Sequence, residues 1–359
     1  MGQNSCRPLL CGYYGEHNLG DDALLAALLQ QLPAGCRPLV TAFDQQQLHQ
    51  RFRVDTVPRR SLVAVLRALG SCDALVLGGG SLLQDSTSFR SLLYYAALIT
   101  TARLQAKPVL LWGQGLGPLR RRASRALVRA LLPLATACSW RDPASAALAQ
   151  RWGIDGQLGS DPVWALPARS WQGPGGAIVV CWRPTPLLQG QAWRPYLEAL
   201  AQLADSGERE VLWLPFHQDQ DSSLLAELQA ADLVPAALLA RSRQLQAADP
   251  EAAQAIFQGA GLVIAMRLHA LILAALAGAP LAALSYDPKV RAAAEAIGCP
   301  CRDLGCDGKA LAKQLLGSWR SCLDQPPAAS RLQALQQTSA VHHALLQQLT
   351  CSNSGSASG

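Results

Sequence analysis

The stretch Gly261-Leu-Val-Ile-Ala-Met266-Arg267-Leu268-His269-Ala-Leu-Ile-Leu-Ala-Ala-Leu-Ala-Gly-Ala-Pro280 decides the fold. Its first six residues form an apolar run which, at that length, predicts a strand buried on both faces. A helix follows from Leu268 to about residue 277, and a further apolar strand runs over 280–286. Strand, helix and strand in this order make the βαβ unit of a parallel sheet. Arg267 and His269 interrupt the apolar run where an open α/β sheet presents its strand ends to ligands. Arginine offers a planar two-pronged grip on carboxylate or phosphate, and histidine moves protons near neutral pH. Polar groups in so apolar a setting cost free energy unless they are matched. The bland alternative is an arginine that ties the chain locally and a histidine that fills a helix start.

The same alternation extends in both directions. Strands are expected at 8–12, 38–42, 73–77, 108–112 and 136–140, with helices at 21–32, 61–69, 89–104, 122–132 and 143–152. The segment 165–176 (ALPARSWQGPGG) breaks the rhythm with Pro and Gly and is expected to be a linker. Strands then resume at 177–181, 210–214, 261–266 and 280–286. Helices are expected at 193–204, 222–230, 268–277, 288–297, 308–319 and 330–349. The expectation is an α/β protein of two Rossmann-like lobes facing a cleft, with lobes at 1–165 and 177–325. A carboxyl-terminal helix over 326–350 and a disordered Ser/Gly tail over 351–359 complete it.

Composition narrows the function classes. With 359 residues, half of them hydrophobic, the chain holds enough apolar material for two cores. The net charge of +6 suits a small anionic substrate but is too dilute for a nucleic-acid footprint. Arg120-Arg121-Arg122 is read as a solvated loop or helix start. The amino terminus lacks the pattern of a signal peptide, and MGQNSC misses the myristoylation motif because Cys6 stands at the Ser/Thr position. No apolar run is long enough for a membrane span. Eleven scattered cysteines read as thiols of a reducing, cytoplasmic compartment. Cys299, Cys301 and Cys306 lack a paired C-x-x-C and a His partner, so they are not read as a zinc site, and no metal is expected.

Other strand ends carry chemistry-bearing residues. Lys289, after Tyr286-Asp287-Pro288, sits at a helix start where its charge opposes the helix dipole, which hints at an anion nearby. Asp287 and Asp142 are expected as N-caps followed by Pro. Arg141 and Arg183 each follow a strand, and His217 follows another. The loop Gly12-Tyr-Tyr-Gly15-Glu-His-Asn18-Leu-Gly20-Asp21 departs from G-x-G-x-x-G spacing. It is read as a substrate loop presenting Asn18 and Asp21, with Asp21 as a plain helix cap the alternative. The run Gly78-Gly79-Gly80-Ser-Leu-Leu-Gln84-Asp85 would let a ligand approach backbone amides, but it lacks the Lys-Ser/Thr of a P-loop.

Four stretches together resemble the polysaccharide pyruvyl transferase family, most closely its CsaB-type members: GYYGEHNLGDDALL, LVLGGGSLLQD, WRDPAS and AMRLHALILAALAGAPLAALSYDPKV. The resemblance runs from about residue 10 to 297 in the same motif order. It implies a glycosyltransferase-B-like fold and metal-free transfer of pyruvate from phosphoenolpyruvate to a sugar as a cyclic ketal. Phosphoenolpyruvate would be a co-substrate, and no cofactor is expected. The acceptor would be a sugar or lipid-linked glycan of a cell-wall polysaccharide precursor, met in the cytoplasm at the inner face of the membrane through a peripheral contact. The CsaB-type members imply a role in surface-layer anchoring. The family's Arg-Leu-His signature falls on Arg267, Leu268 and His269, with His269 as the acid. Arg141, or its rival Arg183, would help hold the donor together with Lys289. Asn18, Asp21, Gly79, Gly80, Gln84, Asp85 and His217 would face the acceptor, with Asp21 as base. The rival expectations are a nucleotide-sugar glycosyltransferase, against which the absence of an E-x(7)-E motif counts, and a non-catalytic sugar-binding protein, against which the intact Arg-Leu-His counts.

Overall fold

The protein is described by a computed structural model covering residues 6–86, 88–305 and 310–351. Cys306, the first five residues of MGQNSC, and residues 352–359 of the tail lie outside the described residues. The chain divides into two compact units. One holds the described residues up to Glu16, Asp21–Ala165 and those from Gln336 on; the other holds His17–Gly20 and Leu166–Leu335.

The first unit is built on a seven-stranded parallel sheet. Its strands are β1 (Pro8–Cys11), β2 (Leu39–Ala42), β3 (Asp55–Pro58), β4 (Ala74–Gly80), β5 (Val109–Gln114), β6 (Ala137–Trp140) and β7 (Gln157–Leu158), ordered β3-β2-β1-β4-β5-β6-β7. β1, β2, β4 and β5 are buried throughout, which is why their sequences are continuous apolar runs rather than alternating ones. The order reverses between β1 and β4, the switch point at which such sheets open a crevice.

The second unit repeats the plan with β8 (Ile178–Cys181), β9 (Val211–Trp213), β10 (Ser242–Gln244), β11 (Leu262–Ala265), β12 (Leu281–Ser285) and β13 (Cys301–Asp303), ordered β10-β9-β8-β11-β12-β13. All its pairs are parallel, and the switch point lies between β8 and β11. The helix after β11, Leu268–Leu276, is buried at every position from Ala270 to Leu276. A helix apolar all round belongs inside a protein, and LHALILAAL supplies that composition.

Helix starts follow the capping chemistry written in the sequence. The Asp142 carboxylate accepts from the Ser145 amide and Asp287 from the Lys289 amide, each ahead of a Pro in the first turn. The first helix, Leu19–Gln31, begins two residues earlier than expected, because the Asn18 side chain accepts from the Gly20 amide at 3.0 Å. Asp21 therefore lies within the helix and does not cap it, which corrects that alternative reading.

Most strands of the expected set are shortened by a residue or two at their ends, and the Gly78-Gly79-Gly80 run belongs to β4 itself. The Tyr14 hydroxyl donates to the Gly78 carbonyl at 2.7 Å. A Cβ on Gly78 would stand 2.2 Å from that hydroxyl, and one on Gly79, which has φ +66°, would stand 2.7 Å from Leu24. Glycine at these positions admits the first helix against the sheet.

The final helix is Ala329–Cys351, and its part from Gln336 on is fastened within the first unit by His342, which is fully buried. Its Nε2 donates to the Ser160 carbonyl at 2.7 Å, so its Nδ1 accepts from the Ser139 hydroxyl at 2.8 Å. The Trp112 indole donates to the His342 carbonyl at 3.1 Å.

Candidate active site

The parallel register places several polar side chains at one edge of the second sheet. Cys181 of β8 pairs with Ala265 of β11, and Ala265 with Ala283 of β12. Arg183 and Arg267 each stand two residues beyond paired positions, one on either side of the switch point. Tyr286 and Lys289 follow β12, and His217 follows β9. Arg183, His217, Arg267, Leu268, His269 and Lys289 thus gather at one sheet edge of one unit.

Arg267 is oriented by Asp221, a residue the sequence reading passed over. Its Nε donates to Asp221 Oδ2 at 3.1 Å and a terminal nitrogen donates to Asp221 Oδ1, while Gln220 accepts a further bond at 3.1 Å. The Asp221 side chain has 0% exposure and that of Arg267 13%. Asp221 Oδ2 also accepts from the backbone amides of Phe216 and His217, at 3.1 and 2.9 Å. One buried carboxylate therefore fixes both the loop after β9 and the fork of Arg267. Its presence was hard to read in HQDQD, because 46 residues separate it from its partner.

His269 sits in the first turn of the helix Leu268–Leu276. The segment His17–Gly20 is held against the same loop. The Leu19 amide donates to the Phe216 carbonyl, the Gln218 amide donates to the His17 carbonyl, both at 2.9 Å, and Asn18 and His217 form an antiparallel bridge. This brings Gly20 so near His269 that a Cβ there would be 2.3 Å from its Nδ1. Burial, and then the charge of Arg267, pushes the His217 imidazole below its ordinary range. Arg183 donates to the Tyr286 hydroxyl at 3.1 Å and lies 4.9 Å from the centre of that ring. The Lys289 amide is bound to Asp287, and the residue lies in the first turn of the helix Pro288–Ile297.

The other sequence-expected residues belong to the first unit. Arg141 is buried, paired with Asp161 at 3.0 Å and bonded to the Ser81 hydroxyl at 3.1 Å. Gly115 leaves room for this arrangement, since a Cβ there would lie 2.9 Å from Arg141 Nε. Asp85 is also buried and accepts from the amides of Arg120 and Arg121 at 2.9 and 2.8 Å. These bonds hold its carboxyl below the usual range. Gln84 accepts from the Ser86 amide at 2.7 Å, Gly79 and Gly80 lie within β4, and Asp21 is half-buried in the first helix. Among the described residues, no group of three or more His, Cys, Asp or Glu side chains could hold a metal ion.

Two Rossmann-like parallel sheets, one with arginine, lysine and histidine at its strand ends, define a GT-B-like α/β protein. Residues 18–288 match the polysaccharide pyruvyl transferase family, and the chain belongs to that family of transferases. No curated protein matches the sequence directly. Solved structures resemble it across nearly the whole chain. The UDP-GlcNAc 2-epimerase of Methanocaldococcus jannaschii has a TM-score of 0.64 at 9% identity, covering 97% of this chain and 99% of that one. Anabaena HepE in complex with UDP-glucose has 0.57 at 13%, covering 97% and 99%. S. aureus MnaA with UDP has 0.60 at 10%, covering 96% and 94%. At such identities the likeness concerns the fold alone.

Proposed function

We propose that the second sheet's carboxyl edge binds phosphoenolpyruvate and transfers its pyruvyl group to a sugar as a cyclic ketal, releasing phosphate. The observation that carries this reading is the pair Arg267 and His269, with Arg267 locked by the buried Asp221 and flanked at neighbouring strand ends by Arg183 and Lys289. A donor bearing both carboxylate and phosphate requires several cations, and each charge-assisted contact contributes about 1.5–3 kcal/mol.

In the proposed reaction, a sugar hydroxyl forms a bond to C2 of the donor while His269, as imidazolium, gives its proton to the methylene carbon. The double bond is consumed and C3 becomes a methyl group. A second hydroxyl then attacks C2, the bond to the phosphate oxygen breaks, and the hydroxyl proton leaves to the His269 imidazole or to phosphate. Positioned acid–base catalysis of this kind contributes about 10²–10⁴-fold, and fixed cations facing the developing charge supply much of the remainder. His217, kept neutral by burial, is suited to accept the first hydroxyl proton; Asp21 is the first unit's candidate for that task. Arg141, Asn18, Gly79, Gly80, Gln84 and Asp85 enter as substitutions to be sorted by readout. Loss of transfer with donor binding intact marks the acceptor side, and loss of both marks the donor side.

The motif order shared with CsaB-type members supports a cell-wall polysaccharide precursor as acceptor, including one whose mature polymer anchors a surface layer. The free thiols among the described cysteines support a reducing, cytoplasmic setting. The test is incubation of the protein with phosphoenolpyruvate and candidate glycans, reading released phosphate and the mass of the ketal. Phosphate release without a ketal mass, or neither, contradicts the proposal.

One observation favours a second reading. A cavity of about 450 Å³ beside the loop after Arg183 is lined by Pro184, Thr185, Trp193, Leu224, Glu227 and Leu228. Apolar walls with one carboxylate suit a nucleoside and would serve a nucleotide-sugar glycosyltransferase. Calorimetric titration with UDP and with phosphoenolpyruvate separates the two readings.

A further inference from the structure

The cations of this chain are unevenly distributed. Between Asp85 and Asp142 there is no Asp or Glu, yet nine of the chain's 31 Lys and Arg fall in that interval. The remainder holds 22 basic against 25 acidic residues, so this interval outweighs the rest and sets the sign of the net charge.

The fold gathers most of these cations on one surface of the first unit. The helices Phe89–Leu104 and Arg122–Leu131 pack side by side, and the helix Leu62–Gly70 packs along the other flank of Phe89–Leu104. Ser124, Val128 and Leu131 face inward, while Arg122, Arg125 and Arg129, at i, i+3 and i+7, are exposed along the opposite stripe. Arg120 and Arg121 precede that helix, and the Arg121 guanidinium lies 5.9 Å from the Phe89 ring at the start of its neighbour. Arg90 opens the outward stripe of that neighbour, which continues with Leu93, 47% exposed, and ends with Leu104, 83% exposed. Val63 on the third helix is 68% exposed. Among the described residues, none of these arginines forms an ion pair with a carboxylate. Asp85, the acid at the start of this interval, is turned inward onto backbone amides, and Asp142, at its end, caps the following helix.

We propose that this outer face of the first unit docks on an anionic lipid bilayer. The run Arg120-Arg121-Arg122, taken from sequence as a solvated loop, is part of a surface and not an isolated cluster. Arginines without a carboxylate partner, of which Arg125 also donates to the Leu119 carbonyl at 2.8 Å, match a membrane interface when interspersed with exposed leucine and valine. There the guanidinium groups reach lipid phosphates while the aliphatic side chains enter the headgroup region. A nucleic acid or a polyanionic glycan would use the arginines but gain nothing from the aliphatic residues. The inference stands apart from the proposed reaction, since it uses none of the residues assigned to it.

The test is sedimentation of the full-length protein with vesicles of phosphatidylcholine alone and with vesicles one-third phosphatidylglycerol, at low and high salt. The protein is expected to sediment with the anionic vesicles and to be released by salt. The triple variant Arg122→Glu/Arg125→Glu/Arg129→Glu is expected to bind them roughly 100-fold more weakly, from about fivefold per cation lost. The variant Leu93→Ser/Leu104→Ser, with every charge kept, is expected to lose roughly tenfold toward vesicles and nothing toward heparin. Unaltered melting transitions of both variants establish that the fold is kept, and the leucine pair tests the surface independently if the arginine triple does not fold. Equal binding to both vesicle types, or an unchanged leucine variant, overturns the proposal, the latter by marking a surface for polyanions in general.

Discussion

Arg141 and Arg267 each stand just beyond a parallel strand and are each held by a buried aspartate, but Arg141 follows β6, two strands from its sheet's switch point, and Arg267 follows β11, beside its own. Their surroundings differ. Arg141 is 6% exposed at its side chain, and Asp161 and Ser81 take its bonds. Arg267 shares its sheet edge with Arg183, Lys289 and two histidines, and one carboxylate both anchors it and fixes the neighbouring loop. An arginine at a strand end therefore does not make an anion site by itself. Further cations at neighbouring strand ends, with proton-carrying imidazoles alongside, are what distinguish the second edge from the first.

Substitutions sharpen this contrast. The largest expected effect is from His269→Ala: pyruvyl transfer falls about 10³-fold while the calorimetric Kd for phosphoenolpyruvate stays near wild type. Transfer at a near wild-type rate would remove His269 from the proposed chemistry. Next comes Asp221→Asn, which keeps the shape but removes the charge that fixes Arg267. Donor affinity is expected to fall about 10–100-fold, consistent with weakening one or two charge-assisted bonds. Arg141→Ala then separates the two edges. It leaves Asp161 buried without its partner and is expected to cost about 3–5 kcal/mol in denaturant unfolding, with donor affinity changed only a few-fold. A folded Arg141→Ala protein that no longer binds phosphoenolpyruvate would erase the contrast and restore the donor role that the resemblance implies.

The smallest effect is on pH dependence. Burial, ahead of any charge, holds His342 below the ordinary imidazole range. The unfolded chain thus binds this proton more readily than the folded unit. The stabilising contribution is complete above the unfolded value of about 6.5 and is lost as pH falls through the folded value. Thermal melting should drop a few degrees more in wild type than in His342→Gln between neutral and mildly acidic pH, as about 1 kcal/mol corresponds to 2–4 °C in a unit of this size. Parallel pH curves for the two proteins would assign the loss to other groups.

What the sequence concealed follows a pattern. β3, β7, β10 and β13 were not anticipated, and they are the four edges of the two sheets. Interior strands such as β8 and β11 are buried on both faces and announce themselves as IVVC and LVIA. Edge strands are short and half-wet: Gln157–Leu158 is exposed, and Ser242–Gln244 and Cys301–Asp303 carry polar residues. The helices Gln45–Phe52 and Pro250–Gln258, which lead to or from those edges, were missed with them. The site divides in the same way. Arg267 and His269 were legible because they interrupt an apolar run at a strand end, Lys289 because its charge opposes the dipole of the helix it opens, and Arg183 and His217 because they follow strands. Asp221 and Gly20 were not, because their importance comes from contacts between segments far apart in the chain.

The most direct test of the central claim is calorimetric titration of phosphoenolpyruvate into wild type, Arg267→Ala and Arg267→Lys at one salt concentration. Saturable binding is expected in wild type, at least 10²-fold weaker binding in Arg267→Lys, which keeps the charge but loses the two-pronged geometry, and none in Arg267→Ala. Undiminished binding in a folded Arg267→Ala protein would contradict the assignment of this strand edge as the donor site.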